Sequence, residues 1–389
     1  MVEAVRRTHP APSSDPTHDR KGNVMTSNNA TLVEADRQVR AVLDEVYAAW
    51  AANDADAFVA PYAETATAVP PGTYLPDRQA IRAIMATLFA GELNGSKGLH
   101  MVQPDAEQPD DESWGDLTAE PRDVDYIEID AGGLPAMWAA PKRRAEDRVL
   151  LCMHGGGFIN GSIYSHRKLF GHLAKATGAR ALLFDYHLAP GHTHPTQVNE
   201  ATAVYRWLLD QGVSADHIAF TGDSSGGGLS ITTQLRARER GLPLPAAAMP
   251  FSPWVDMEVI GKSYETNRDR EPFFSKESVR QFAGIFLDEG GDPRDPLANP
   301  LYADLSGLGP IYIQVGGDET LLDDARRLAE HARRAGVGVR LDVFPDMLHT
   351  FQMAAGRAPE ADEAIRRMAD WVRPRLGLSI TPGRTGVAV

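Results

Sequence analysis

Apolar and polar positions along the chain follow two different rhythms, and the change between them divides the molecule. From Val39 onward Val42, Leu43, Val46, Tyr47 and Trp50 recur at helical spacing, which predicts one amphipathic helix. Asn53 and Asp54 close it and cap another, and Asp77 caps a third whose Ile81, Ile84, Met85, Leu88 and Phe89 share a face. A short strand-like run from Thr65 to Val69 ends at Pro70 and Pro71. The stretch from Gln103 to Glu120 is acidic and proline-bearing and reads as a linker.

Beyond that stretch, short aliphatic runs alternate with amphipathic helices, the pattern of an α/β domain with a mostly parallel central sheet and helices on both faces. The expected strands are Val124 to Ile129, Leu134 to Ala139, Val149 to Met153, Ala181 to Phe184, Ile218 to Thr221, Ala246 to Phe251, Ile311 to Val315 and Val339 to Phe344. The first two, joined across Gly132 and Gly133, predict an antiparallel hairpin at one edge. The organisation expected is a disordered tail (1–30), a helical cap or partial α+β segment (31–102), the acidic linker (103–120), a catalytic α/β domain (121–378) and a second tail (379–389).

Composition narrows the partners. With 39 basic and 53 acidic residues the formal charge is −14, which repels phosphate backbones and anionic headgroups, so no nucleic-acid partner is expected. The first thirty residues hold no apolar signal region and no continuous apolar run approaches about 18 residues. A cytoplasmic protein without stable membrane insertion is therefore expected. The single cysteine, Cys152, excludes an intrachain disulfide and sits in an apolar run as a small buried hydrophobe rather than a reactive thiol.

The chemistry is carried by glycine-rich turns after strands. Gly222-Asp223-Ser224-Ser225-Gly226 lies between an apolar strand and a helix expected to begin near Gly227, the setting of a nucleophile elbow with Ser224 as nucleophile. A serine hydroxyl needs a base, an orienting acid and donors for the oxyanion. His154-Gly155-Gly156-Gly157 follows a strand, and the backbone N–H groups of Gly156, Gly157 and Ser225 are the expected oxyanion hole. The acid and base should follow in that order after later strands. Asp318 and Glu319 follow one such strand, and His349 alone of twelve histidines follows the next. Asp223 is expected to accept hydrogen bonds that support the elbow, and Asp323 and Asp324 to be helix-start charges.

The motifs His154-Gly155-Gly156-Gly157, Asp185-Tyr186-His187-Leu188-Ala189-Pro190, Gly222-Asp223-Ser224-Ser225-Gly226-Gly227, Ser252-Pro253-Trp254 and His349-Thr350-Phe351 resemble those of the hormone-sensitive-lipase-like, GDXG-type carboxylesterases. The resemblance runs from about Val124 to Leu378. It implies the α/β-hydrolase fold and cofactor-free, metal-free hydrolysis of short- to medium-chain carboxylic esters under an N-terminal helical cap. It places His154, Phe158, Tyr186 and Trp254 at the substrate. The family's D-x-L-x-D pattern aligns with Glu319-Thr320-Leu321-Leu322-Asp323 and favours Glu319 over Asp318 as the acid. His187 stands where the family commonly has Arg and Gly191 where it commonly has Glu, so an ion pair near the site floor is expected to be missing. Ser225 replaces the commoner alanine.

Residues from about 35 to 98, notably Ala49-Trp50, Asn53 to Phe58 and Pro71-Gly72, resemble the start of a SnoaL-like α+β cone. Its apolar faces should dock, over the hydrolase mouth or against a second subunit as a homodimer. The leading expectation is a serine carboxylesterase acting on a small-molecule ester. A lactonase or acyltransferase on the same residues is the alternative, and a small-molecule receptor on a hydrolase scaffold is a third, set back by the presence of His349.

Overall fold

The structure, a computed structural model, describes residues 46, 49, 52–62, 77–90 and 110–379. It divides into two compact units, Met1–Asp110 and Asp111–Val389. The expected tails at 1–30 and beyond 379, the run Thr65 to Val69 and Trp50 lie outside the described residues.

In the first unit, Asp54 caps helix α1 (Ala55–Val59) by accepting the N–H groups of Asp56 and Ala57. Asp77 accepts the Ala80 N–H at 2.7 Å at the start of α2 (Arg78–Ala90). Both caps answer donors that a first helical turn leaves unpaired. Ala49, Phe58, Val59, Ile81 and Met85 close a small core between these elements.

The second unit is built on eight strands: β1 (Val124–Asp130), β2 (Pro135–Pro141), β3 (Val149–Met153), β4 (Arg180–Phe184), β5 (Ile218–Asp223), β6 (Ala247–Phe251), β7 (Ile311–Gly316) and β8 (Val339–Phe344). Their order across the sheet is β1-β2-β4-β3-β5-β6-β7-β8. The expected hairpin is there, Val124 pairing with Pro141 and Asp130 with Pro135, and β2 also runs antiparallel to β4. From β4 to β8 every neighbour is parallel.

Alternation along the central strands feeds two cores. Leu151, Met153, Phe220 and Ile313 face helices α4 (Thr196–Asp210), α5 (Ser224–Glu239) and α8 (Leu322–Arg334). Leu150, Cys152, Met249 and Tyr312 face α3 (Ile163–Thr177) and α9 (Pro359–Val372). A period of two sends successive side chains to opposite faces, so strands covered on both sides read as unbroken apolar runs. Burial of Cys152 among them raises its thiol well above the ordinary range, as an inert core position requires. The short α6 (Ser263–Thr266) and the capped α7 (Lys276–Leu287) belong to the connection between β6 and β7.

One expectation needs correction here. The linker drawn over 103–120 ends earlier, because Asp110–Leu117 forms a 3-10 helix. Trp114 there packs edge-on against Phe273 at 5.7 Å, and the buried Thr118 hydroxyl donates to the Met353 carbonyl. Gly115 allows that approach, since a Cβ there would lie 2.8 Å from the Ser165 carbonyl oxygen. His187 Nδ1 lies 2.6 Å from Glu200 Oε1, a hydrogen bond the neutral ring can also make. Among the described residues no helix is long and apolar enough to cross a membrane.

Candidate active site

β5 passes into α5 at Ser224, whose φ of +52° is left-handed, a conformation that strains a non-glycine residue by about 1–3 kcal/mol. The turn is tight because its flanks carry no side chains. A Cβ on Gly222 would lie 2.3 Å from the Gly226 carbonyl oxygen, and one on Gly226 would lie 2.0 Å from that of Met153. The helix begins at Ser224 and not near Gly227 as expected. Glycines are poor helix formers, yet a Cβ on Gly228 would lie 2.2 Å from the Trp254 carbonyl oxygen. Close packing of the turn outweighs propensity.

Asp223, buried beneath Ser224, ties the glycine loop and helix α3 to the end of β5. Its Oδ1 accepts the Gly155 N–H at 3.0 Å and its Oδ2 lies 3.2 Å from His166 Nε2. Burial works against its charge, but the charge and hydrogen bond of His166 outweigh it and hold the carboxyl below the ordinary range. Thus anchored, the glycine loop takes φ values of +115° at Gly156 and +63° at Gly157. A Cβ on Gly156 would lie 2.1 Å from the Asn160 carbonyl oxygen, which excludes any side chain there. The N–H groups of Gly156 and Gly157 have no acceptor among the described residues. Ser225, second in α5, has no intrahelical acceptor either.

Glu319 follows β7 and is fully buried. Its Oε2 lies 2.6 Å from His349 Nδ1, while Oε1 accepts the Gly316 N–H at 2.6 Å and the Ser252 hydroxyl at 2.9 Å. The same Ser252 oxygen accepts the Thr350 N–H at 3.2 Å. Asp318 turns away and pairs with Arg270 at 2.7 Å. The structure therefore brings Glu319, not Asp318, to His349. Burial lowers the basicity of the His349 imidazole, but the Glu319 hydrogen bond and charge, with the charges of Glu271 and Asp223, prevail and raise its pKa. The segment carrying His349 crosses back over the end of β7, where a Cβ on Gly316 would lie 2.3 Å from the Met347 carbonyl oxygen.

A cleft of about 20 Å³ opens at Ser224, walled by Gly157, Trp254, Phe274, Val279, Phe282 and Leu321. A water needs about 10–15 Å³ by the same measure, so only a small group fits without movement. Of the four residues expected at the substrate, Trp254 lines this cleft and three stand behind it. His154 stacks on Tyr186 with ring centres 4.1 Å apart, and Phe158 stacks on Phe286 at 4.0 Å. The Tyr186 hydroxyl donates to the His154 carbonyl at 2.7 Å. Burial, with the neighbouring His166, lowers the His154 pKa to about 3, so the ring is neutral and supports the glycine loop. A larger surface cleft of about 180 Å³ borders Arg327 and Arg334 and shares no lining residue with this one, and both cations are paired, with Asp256 and Glu330.

Asp323 and Asp324 stand in the first turn of α8 as expected, but Asp324 does more than face the helix dipole. It is fully buried, accepts the Val255 and Asp256 N–H groups at 3.1 and 3.0 Å, and pairs with the Tyr264 hydroxyl at 3.1 Å. Burial, then the charge of Asp256, pushes its carboxyl up to about 8. Asp323 accepts the Lys262 and Ser263 N–H groups. Together they fasten the loop that carries Ser252 and Trp254. Sequence reasoning also missed Glu271, Phe274 and Phe282, because a charged segment such as Asn267 to Phe274 reads as a solvated loop until its neighbours are placed.

The sequence pattern of the family described as alpha/beta hydrolase fold matches residues 150–353. The chain is 39% identical over 266 residues to an acetyl-hydrolase of Streptomyces hygroscopicus, covering 68% of this chain and 87% of the relative. It is 29% identical over 233 residues to an ethyl acetate hydrolase of Pseudomonas putida, covering 58% and 73%. Among solved structures, an esterase from the bacterial hormone-sensitive lipase family superposes with a TM-score of 0.67 at 42% identity, covering 70% of this chain and 94% of that one. The elbow, the glycine loop and the acid–histidine pair thus stand on a scaffold shared with esterases over nearly their full length, and the chain belongs to the hormone-sensitive-lipase-like branch of the α/β-hydrolase fold family as a carboxylic-ester hydrolase.

Proposed function

We propose that this hydrolase cleaves short-chain carboxylic esters through an acyl-enzyme on Ser224. The observation that carries the reading is the buried 2.6 Å contact between His349 Nδ1 and Glu319 Oε2. With Nδ1 donating to the carboxylate, Nε2 is left as the basic nitrogen. In this mechanism Nε2 takes the Ser224 proton as Oγ attacks the acyl carbon, and the unpaired N–H groups of Gly156, Gly157 and Ser225 receive the oxyanion. The imidazolium returns its proton to the leaving alcohol. Water then repeats the sequence on the acyl-enzyme and releases the acid.

A short acyl group is favoured by the size of the cleft, and the names of the acetyl-hydrolase and ethyl acetate hydrolase relatives point the same way. Initial rates on p-nitrophenyl esters from acetate to octanoate, alongside simple lactones, test the reading. The highest kcat/KM is expected at acetate to butyrate. A preference for lactones would replace the esterase reading by a lactonase, and binding without turnover would favour a receptor.

Phe282 is expected to set the length limit, since its ring lies 3.4 Å from where a Gly157 Cβ would stand and forms one wall of the cleft. Phe282→Ala should raise kcat/KM for hexanoate relative to acetate by roughly tenfold, the lower range of what a methylene-sized difference in a pocket achieves. An unchanged chain-length profile would remove Phe282 from the acyl site.

A further inference from the structure

His349 meets a second carboxylate that no motif announces. Glu271 lies between α6 and α7 and is 5% exposed. Its Oε2 accepts the His349 backbone N–H at 3.3 Å, and its Oε1 accepts the Phe273 N–H at 3.0 Å. Among the described residues no lysine or arginine pairs with it. The adjacent Arg270 is engaged by Asp318 and by Asn267 Oδ1 at 2.8 Å. The rest of the segment is tied to the same place. Asn267 Nδ2 donates to the Gly317 and Glu319 carbonyls at 3.1 and 2.9 Å, and the Phe274 ring meets the His349 ring edge-on at 5.0 Å.

We propose that Glu271 is a positioning residue whose buried negative charge, acting beside that of Glu319, sets the pH range over which His349 works as a base. The inference rests on His349 being that base. Two backbone N–H groups need acceptors but no charge, and a glutamine amide would keep one of the two. A buried carboxylate without a cation is costly to hold. The charge finds its partner when His349 is protonated, the state formed each time Ser224 gives up its proton.

The charged groups acting on His349 are Glu319 at Nδ1, Glu271 at its backbone, and Asp223 at the foot of the elbow. All three are negative, so removing one disfavours the imidazolium. Burial raises the Glu271 carboxyl above its ordinary range and the Glu319 charge adds to this, while His349 draws it back.

The test is the pH profile of kcat/KM for p-nitrophenyl acetate, measured on the full chain between about pH 4.5 and 9. With Glu271→Gln the acid limb should move to lower pH, because an imidazole deprived of a neighbouring anion loses its proton more readily. Activity at pH 5 relative to the plateau should rise about threefold or more, while the plateau itself falls about threefold to tenfold. Glu271→Asp, which keeps the charge but withdraws it, should give a smaller shift in the same direction. It decides alone if the glutamine variant fails to fold. A lowered plateau with an unmoved limb would overturn the proposal and leave Glu271 a plain hydrogen-bond acceptor. A His349→Ala control separates the two readings. If that control keeps near wild-type turnover, the base assignment falls and this proposal with it; if turnover is lost while the limb stays put in the Glu271 variants, only the role of Glu271 falls.

Discussion

Ser224→Ala is expected to lower kcat on the order of 10⁴-fold or more, as removal of an acyl-enzyme nucleophile does. The fold should survive the change. The elbow is shaped by Gly222 and Gly226, where no Cβ fits, and the Ser224 carbonyl that receives the Trp254 N–H at 2.8 Å is untouched. Alanine meets the same left-handed backbone cost as serine, because both carry a Cβ. Thermal melting should therefore stay close to wild type while turnover of p-nitrophenyl acetate disappears. A serine-directed organophosphonate should add one phosphonyl group to the wild-type protein and none to the variant by mass spectrometry. Near wild-type activity in the folded variant would refute the acyl-enzyme on Ser224.

The second large effect separates two adjacent acids. Glu319→Gln should reduce kcat by roughly 10² to 10⁴, and Asp318→Asn by less than tenfold. Glutamine keeps the size of the side chain but removes the charge that stabilises the imidazolium. Its amide can also donate to Nδ1, which would turn the ring to the wrong tautomer. Asp318 holds the half-exposed Arg270 instead, and an ion pair of that kind contributes little. Steady-state kinetics on both variants at one pH decide the matter. The reverse ranking would move the acid to Asp318.

Much of the frame was legible because the central strands are apolar runs cut short by glycine, proline or histidine. β3 and β8 run over the residues the pattern predicts, Val149–Met153 and Val339–Phe344. The order of the strands across the sheet was not legible, since periodicity reports which face a residue takes and not which strand lies beside it. The family pattern favoured Glu319 over Asp318, but periodicity alone could not part them. Neighbouring residues share every local signal, and what parts them is Arg270 on one side and Ser252 with His349 on the other.

Two buried carboxylates, Asp324 and Glu271, carry roles that no local pattern announces, for one physical reason. An acid at a helix start or in a charged loop usually has water for a partner. At Asp324 and Glu271 that partner is backbone N–H from a distant segment. Trp114 carried the opposite signal, an aromatic ring inside an acidic stretch, and that stretch folds where the ring packs. In the first unit, the caps at Asp54 and Asp77 were readable because an N-cap is decided within three residues.

The crossing of the histidine segment over β7 ties two adjustments that an enzyme designer would want to make separately. Met347 and Leu348 rest their carbonyl oxygens on the bare backbone of Gly316, and Gly317 donates its N–H to Phe344 at 2.7 Å. Gly316 also gives its own N–H to Glu319. One residue thus serves as floor for the imidazole and as tether for the carboxylate. Widening the mouth from this side, by lengthening the turn or adding a side chain, would shift both partners together and loosen the proton path before any larger ester could enter. Room for bulkier substrates has to come from the Phe282 side of the wall, because the Phe274 ring rests edge-on against His349 itself.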